Sequence, residues 1–366
     1  SHLQNVAEDR ELIAQLSGVD VAIAGGGDEL LANPENPLVP GDTRSVDPAT
    51  GQPFGYPIPV TDADGATVPV VTTAGDYKYV GRLVVTFDAA GVVTGVDPGS
   101  GPVRVSGVAP DAVAADPAVQ ADVVEPVQAF TAELAQTVLA QSEVALEGRR
   151  DPGVRTVETN LGNLLADALL DAGQDGAGAF GVAPPQVALQ NGGGIRNNSL
   201  IPAGPVTELD TFAIAPFANF VAVVPEVPRA QFKEILENAV SQIPVADGRF
   251  AQVAGFRFSY DPAGVAQVTA EDGTVTTAGT RVTEVVLDDG TPIVTGGAVV
   301  DGPGLSVATN DFSARGGDLY PFRGLPFTSV GVSYQQALAA FLADDLAGAV
   351  TAADYPEGGE GRITVG

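Results

Sequence analysis

A mixed α/β fold in two domains is what the sequence predicts, and three observations predict it. Apolar residues recur at helical spacing just before apolar runs of strand length, first over 4–24 and again over 161–190. A chain of 366 residues exceeds one ordinary hydrophobic core. Between the two α/β stretches, residues 116–139 read as a helix interrupted at Pro126, placed to connect two domains.

Each element follows from its pattern. Val6, Leu12, Ile13 and Leu16 give a helix over 4–17 ended by Gly18, and 19–24 reads as a buried strand. Residues 31–65, rich in Pro, Asp, Gly and Asn without a period, read as a long surface excursion. Strands resume at 68–72, at 79–87, where Val80, Leu83 and Val85 alternate in part, and near Val92. Leu161, Leu164, Leu165, Ala168 and Leu169 share one helical face, with Asn160 placed as the cap. A short strand over 187–190 runs into Gly192-Gly193-Gly194. Helices are expected at 229–243, with Phe232, Ile235, Leu236 and Val240 inward, and at 333–346, where Ser333 and Gln336 have capping-box spacing.

Composition excludes several functions. Forty-six acidic residues against 17 basic ones give a net charge of −29, a field that repels polyanions, so general binding of nucleic acid or anionic membranes is disfavoured. The acidity itself reads as a solubility device. Without cysteine there are no disulfides, thiolate metal sites or thiol nucleophiles. The joint absence of Cys and Met leans towards an oxidising exterior. No apolar run is long enough to span a bilayer, and the start at Ser1-His2 points to a processed or partial polypeptide.

Gly25-Gly26-Gly27 fails the dinucleotide fingerprint at Leu30 and fails the phosphate-loop pattern; Asn191-Gly192-Gly193-Gly194-Ile195-Arg196 fails both too. The second run still lets backbone approach a ligand, flanked by an amide and a planar guanidinium, although a tight turn would explain the glycines alone. His2, the sole histidine, cannot serve a serine triad; at the chain end it is either a metal ligand with carboxylate partners or an incidental surface residue. Phe217 after Pro216, and Phe312 within 310–318, sit beside polar and glycine residues, where a ring can be core or a platform for a base.

Together these motifs occur in order: Arg155-Thr156-Val157-Glu158-Thr159-Asn160-Leu161-Gly162-Asn163-Leu164, then 191–196, Pro216-Phe217, Gly248-Arg249-Phe250 before Gln252-Val253-Ala254-Gly255, and 310–318. In that order they resemble the C-terminal, substrate-binding domain of the 5′-nucleotidase family of metallophosphatases, from about Thr137 onward. The resemblance implies that Phe217 and Phe312 sandwich a base, that Asp318 accepts from ribose hydroxyls, and that Asn191 and Gly193 contact the nucleoside. By the same resemblance Arg155 and Arg196 hold phosphate oxygens and sugar, while Glu158, Asn160 and Asn163 fix the helix start.

The first hundred residues or so resemble the end of the family's N-terminal, four-layered metallophosphatase domain. The implied organisation is a remainder of that domain over 1–110, a linker helix over 111–136 and the substrate-binding domain over 137–366. His2 is similar to one family metal ligand. In the family's Gly-Gly-His-x-His motif, Gly27 stands where the first histidine belongs and Glu29 at the second ligand position. The family's cofactors are two divalent ions, Mn, Zn, Co or Mg. The resemblance therefore implies a secreted, periplasmic or cell-surface nucleotide phosphohydrolase whose metal motifs lie largely in a missing N-terminal portion of its own polypeptide. The alternative is a degenerate, non-catalytic nucleotide-binding or cell-envelope interaction protein; a third is a relative acting on another phosphoester or sulfur ester.

Overall fold

A computed structural model describes residues 1–3, 5–109 and 111–366. Gln4 and Pro110, where the first helical stretch was expected to start and the first domain to end, lie outside the described residues. The chain divides into two compact units, Ser1–Glu125 and Pro126–Gly366, with the boundary inside a helical stretch at 117–136. That stretch is not interrupted at Pro126: Gln120–Val124 takes the wider π-type turn just upstream, and the helix continues from Glu125 to Gln136. A π-type turn shifts the backbone hydrogen bonding by one residue, which accommodates a proline that lacks its N–H.

Unit 1 contains helix α1 (Val6–Ile13) and a three-stranded sheet of β1 (Ala22–Ile23), β2 (Ile58–Thr61) and β3 (Thr67–Val71), in the order β1-β3-β2. The expected buried strand over 19–24 shrinks to two paired residues. It forms one edge of the sheet, and Ile23 is 68% exposed. The expected surface excursion over 31–65 runs largely exposed from Pro34 to Pro53 but is anchored in the core, where Leu31, Phe54, Tyr56 and Ile58 are buried with Val6, Ile13, Val68 and Val70. Asn33 fastens it, its Oδ1 accepting the Tyr56 N–H at 3.0 Å and its Nδ2 donating to the Tyr56 carbonyl at 3.0 Å. Aperiodic spacing hid this burial, because the segment packs by single anchors rather than along one face.

Unit 2 is layered about a mixed five-stranded sheet. Helix α2 (Asn160–Phe180) precedes β4 (Val187–Asn191), β5 (Phe220–Val227), helix α3 (Arg229–Ala239), β6 (Ala251–Ala254), β7 (Leu305–Asn310), the single turn α4 (Asp311–Ala314), β8 (Thr328–Ser333) and helix α5 (Tyr334–Ala340). The sheet order is β6-β4-β7-β5-β8. Both faces are buried, so β4 and β7 are buried at every residue, with mostly apolar side chains in their bodies and the amides of Gln190, Asn191 and Asn310 at their C-terminal ends. On one face Ala188, Val221, Val223 and Ala308 pack under α2 and α5; on the other Val187, Leu189, Val224 and Val307 pack with α3 and a second, five-stranded sheet that includes Phe256, Phe258 and Val285.

Three details differ from the sequence reading. The cap of α2 is Thr159, whose hydroxyl accepts the Gly162 N–H, whereas the Asn160 side chain accepts from Glu147 N and donates to the Ala145 carbonyl. Helix α3 stops at Ala239, although Val240 stays buried; just beyond it the Arg281 guanidinium binds the carbonyls of Val240, Ser241 and Ile243 and so satisfies the irregular segment that follows. Helix α5 begins with the expected Ser333–Gln336 capping box and passes into a π-type turn at Phe341–Asp345.

Candidate nucleotide site

Strands β4 and β7 lie side by side and parallel, with Val187 opposite Val307 and Ala188 opposite Ala308, so their C-terminal residues emerge at one edge of the sheet. In open α/β sheets that edge is where ligands bind. Asn191 ends β4 and Asn310 ends β7, and the loops that follow carry Gly192-Gly193-Gly194 and Asp318.

The glycines there are required by close approach. A Cβ on Gly192 would lie 2.2 Å from the Val154 carbonyl oxygen, and one on Gly193 would lie 3.0 Å from the Gly248 Cα and 3.1 Å from Asp318 Oδ2. Backbone pairing confirms the fit: Gly192 N–H donates to Phe250 O at 2.6 Å and Gly193 N–H to Gly248 O at 2.8 Å. The loop 247–250 thereby flanks the site, stiffened by Arg249 Nε on Asp247 Oδ1 at 2.9 Å and by Tyr320 Oη on the Arg249 carbonyl at 2.6 Å.

Asn191 Nδ2 donates to Asp318 Oδ2 at 2.6 Å. Asp318 holds the left-handed region at φ 52°, disfavoured for a side-chain-bearing residue, and Asn238 Nδ2 pins its carbonyl at 3.0 Å. Burial pushes the Asp318 carboxyl above its ordinary pKa and nearby Asp247 adds to this, while the Asn191 hydrogen bond, Arg249 and Arg155 oppose it.

Arg155 follows the turn Arg150–Val154. Its guanidinium is depressed below its usual pKa first by burial and then by the positive charges of Arg150 and Arg196. Among the described residues none of these three arginines has a carboxylate partner, and Arg150 Nε and Arg155 Nε are buried without an acceptor. Three neighbouring guanidiniums without an ion-pair partner, Arg155 being only partly offset by Asp318 and Asp247, have the geometry and charge to take an oxyanion. Arg196 also lies over the Phe217 ring, 5.4 Å from its centroid.

Phe217 and Phe312 are 45% and 42% exposed, unlike the core rings Phe232 and Phe256 at 0% and 1%. Tyr334 Oη accepts the Phe217 N–H and donates to the Gly194 carbonyl, both at 3.2 Å, tying one ring to the glycine loop. The Phe312 ring rests on Gly317, where a Cβ would come within 2.4 Å of it.

Sequence reasoning missed Arg150, Gln190, Asp247 and Asn310. The Arg149-Arg150 doublet was a signal, since basic residues are scarce; the two buried amides gave none.

Of the two metal-ligand candidates in unit 1, exposed His2 pairs through its backbone with Gly25, and Glu29 Oε1 accepts the Val6 N–H at 2.9 Å at the start of α1. Glu29 Oε2 is buried without a partner, yet among the described residues no group of three or more His, Cys, Asp or Glu side chains converges on a point. By themselves these residues do not make the donor set that two divalent ions need.

The layered α/β unit with a glycine loop and paired strand ends places the chain among proteins of the 5′-nucleotidase C-terminal type. A family model described as 5′-nucleotidase, C-terminal domain, matches residues 138–323, and the chain belongs to the 5′-nucleotidase family. A bovine 5′-nucleotidase is 31% identical over 264 residues, 69% of this chain and 41% of its own length. A trifunctional nucleotide phosphoesterase of Bacillus subtilis is 35% identical over 179 residues, 49% of this chain and 11% of its own. The solved 5′-nucleotidase precursor of Thermus thermophilus superposes with a TM-score of 0.57 at 30% identity, over 98% of this chain and 62% of that one. The chain thus spans less than two thirds of each of these proteins.

Proposed function

We propose that unit 2 binds a nucleotide and that the longer polypeptide to which it belongs hydrolyses nucleotide phosphate esters. The observation that carries this reading is the cluster of Arg150, Arg155 and Arg196, without an ion-pair partner among the described residues, in the unit whose strand edge carries the Asn191–Asp318 pair. The base stacks on Phe217 and Phe312, Asn191 and Gly193 meet the nucleoside, Asp318 accepts from the sugar hydroxyls, and the arginines take phosphate oxygens. Names of the relatives agree, each being a 5′-nucleotidase or a nucleotide phosphoesterase. In this reading divalent ions, Mn, Zn, Co or Mg, are held mainly by other parts of the longer polypeptide, and the protein works outside the cytoplasm, secreted, periplasmic or at the cell surface.

Isothermal titration with AMP, ADP and adenosine tests the binding half without catalysis. Wild-type chain is expected to bind AMP, Phe312→Ala to lose roughly 1–3 kcal/mol, and Arg196→Ala to lose affinity for AMP more than for adenosine. No binding by wild type, or no effect of either change, sinks the assignment.

A second reading, a nucleotide-binding protein without catalysis, is favoured by Gly27 at a family ligand position and by the engagement of Glu29 with α1. Phosphate release from AMP by the full-length protein would exclude it.

A further inference from the structure

We propose that Gln190 and Asn310 are positioning residues that fix the carboxamide of Asn191 with its nitrogen towards Asp318 and the ligand. This rests on the nucleotide-binding reading above and adds to it which way the amide points and what holds it there.

The orientation follows from two backbone anchors. At one end, Asn310 Oδ1 accepts the Ser313 N–H at 2.9 Å, which can only be a donor, so the other terminal atom of Asn310 is its NH2. That NH2 reaches Asn191 Oδ1 at 2.9 Å and Gln190 Oε1 at 3.1 Å, so both must be oxygens. At the other end, Gln190 Nε2 donates to the Asn191 carbonyl at 2.9 Å, which can only accept, and also to Asn191 Oδ1 at 2.9 Å. The chain of assignments closes without conflict. It leaves Asn191 Nδ2 facing Asp318 Oδ2 at 2.6 Å.

All three amides are at most 2% exposed, and partly satisfied polar networks at such depth are costly, so the arrangement is bistable only at a high price. Turning Asn191 over would set its oxygen against the Asp318 carboxylate and its NH2 against two other NH2 groups. Gly194 makes the space: a Cβ there would lie 2.2 Å from Gln190 Nε2 and 3.0 Å from Asn191 Oδ1. The consequence is a fixed polarity. Asn191 Oδ1 already receives two donors and Nδ2 gives one proton to Asp318, so the group left for the nucleoside is a single N–H, which selects a hydrogen-bond acceptor.

Asn310→Asp tests this, because it keeps the oxygen that accepts from Ser313 and changes only the donor. Adenosine is the probe, since it has no phosphate to titrate. Above neutral pH the introduced carboxylate turns an oxygen towards Asn191 Oδ1 and Gln190 Oε1, and adenosine affinity relative to wild type should fall about tenfold or more. As the pH is lowered, protonation of that buried carboxyl supplies an O–H donor, and the ratio should return towards one. Loss of packing alone would lower affinity equally at every pH.

Gln190→Glu makes the corresponding change on the other arm and serves if Asn310→Asp does not fold, as judged by circular dichroism. If wild type binds adenosine and the variant's affinity ratio does not change with pH, the positioning role is wrong while the nucleotide reading stands. If wild type binds neither adenosine nor AMP, the nucleotide reading fails and this proposal fails with it.

Discussion

The two units use their buried polar side chains in different ways. In unit 1, buried Asp47 and Asp62 accept N–H groups two to four residues ahead and close local turns, and longer bonds there reach shorter distances along the chain, such as 23 residues for Asn33 to Tyr56 and 37 for Asp47 to Arg10. In unit 2 the buried groups reach much further, up to 205 residues along the chain. Gln252 accepts the Thr159 N–H at 3.1 Å and donates to Val154 O and Val157 O, and Glu158 accepts from Asn163, Glu360 N and Ile363 N. Buried Glu237 takes the N–H groups of Arg281 and Val282 and the Lys233 ammonium. Local turns can reform piecemeal, whereas long-range buried bonds form only when the whole unit does, so unit 2 is expected to unfold as one cooperative body.

The hardest test of that contrast is Gly192→Ala. Its Cβ would press on backbone from two sides, 2.2 Å from Val154 O and 3.1 Å from Phe250 O, neither of which can turn away. A loss of about 4 kcal/mol or more is expected in urea unfolding followed by circular dichroism. A near-wild-type midpoint would mean that the Arg-bearing loop is looser than described.

Next in size, Gln252→Ala leaves the Thr159 N–H and two carbonyls without their partner and should cost about 2–4 kcal/mol. Asp62→Ala in unit 1, which removes two turn bonds, should cost about 1 kcal/mol. Equal losses would erase the distinction between the units.

The smallest effect concerns Asp171 on α2, which lines a cavity with Asp175, Asp344 and Asp345 and has no basic partner among the described residues. Burial first, then Asp345 and Asp175, push its carboxyl up to about 6 from 3.8. Because the folded state binds this proton more tightly than the unfolded state, the associated stability is full below pH 3.8 and is lost as pH rises through about 6. Asp171→Asn should therefore raise the thermal midpoint above pH 6, with the gain vanishing near pH 4. A gain independent of pH would remove the charge explanation.

Much of unit 2 was legible because its elements obey a period. Leu161 to Leu169 and Phe232 to Val240 announced their faces, and the glycine and phenylalanine motifs stood out by their polar surroundings. Unit 1 was less legible, since Leu31, Phe54 and Tyr56 enter the core singly between turns. Within the site, Asn191, Gly193 and Asp318 could be named, while Gln190 and Asn310 could not. A buried amide that holds another amide has no pattern of its own; it becomes visible only when parallel strands bring residues 190 and 310 level.

The three arginines without an ion-pair partner sit in a molecule of net charge −29, and the two facts act over different distances. Beyond about 10 Å, the screening length at 0.1 M salt, an approaching nucleotide meets the overall repulsion; inside it, the guanidiniums dominate. Added salt weakens the first more than the second. Ligand entry followed by stopped-flow should then quicken, or hold steady, as ionic strength rises from about 0.01 to 0.1 M, the reverse of capture by an attractive surface. A marked slowing would show that the local cluster is felt far into solution. The arrangement favours a protein whose uptake of small anions works best where salt is plentiful.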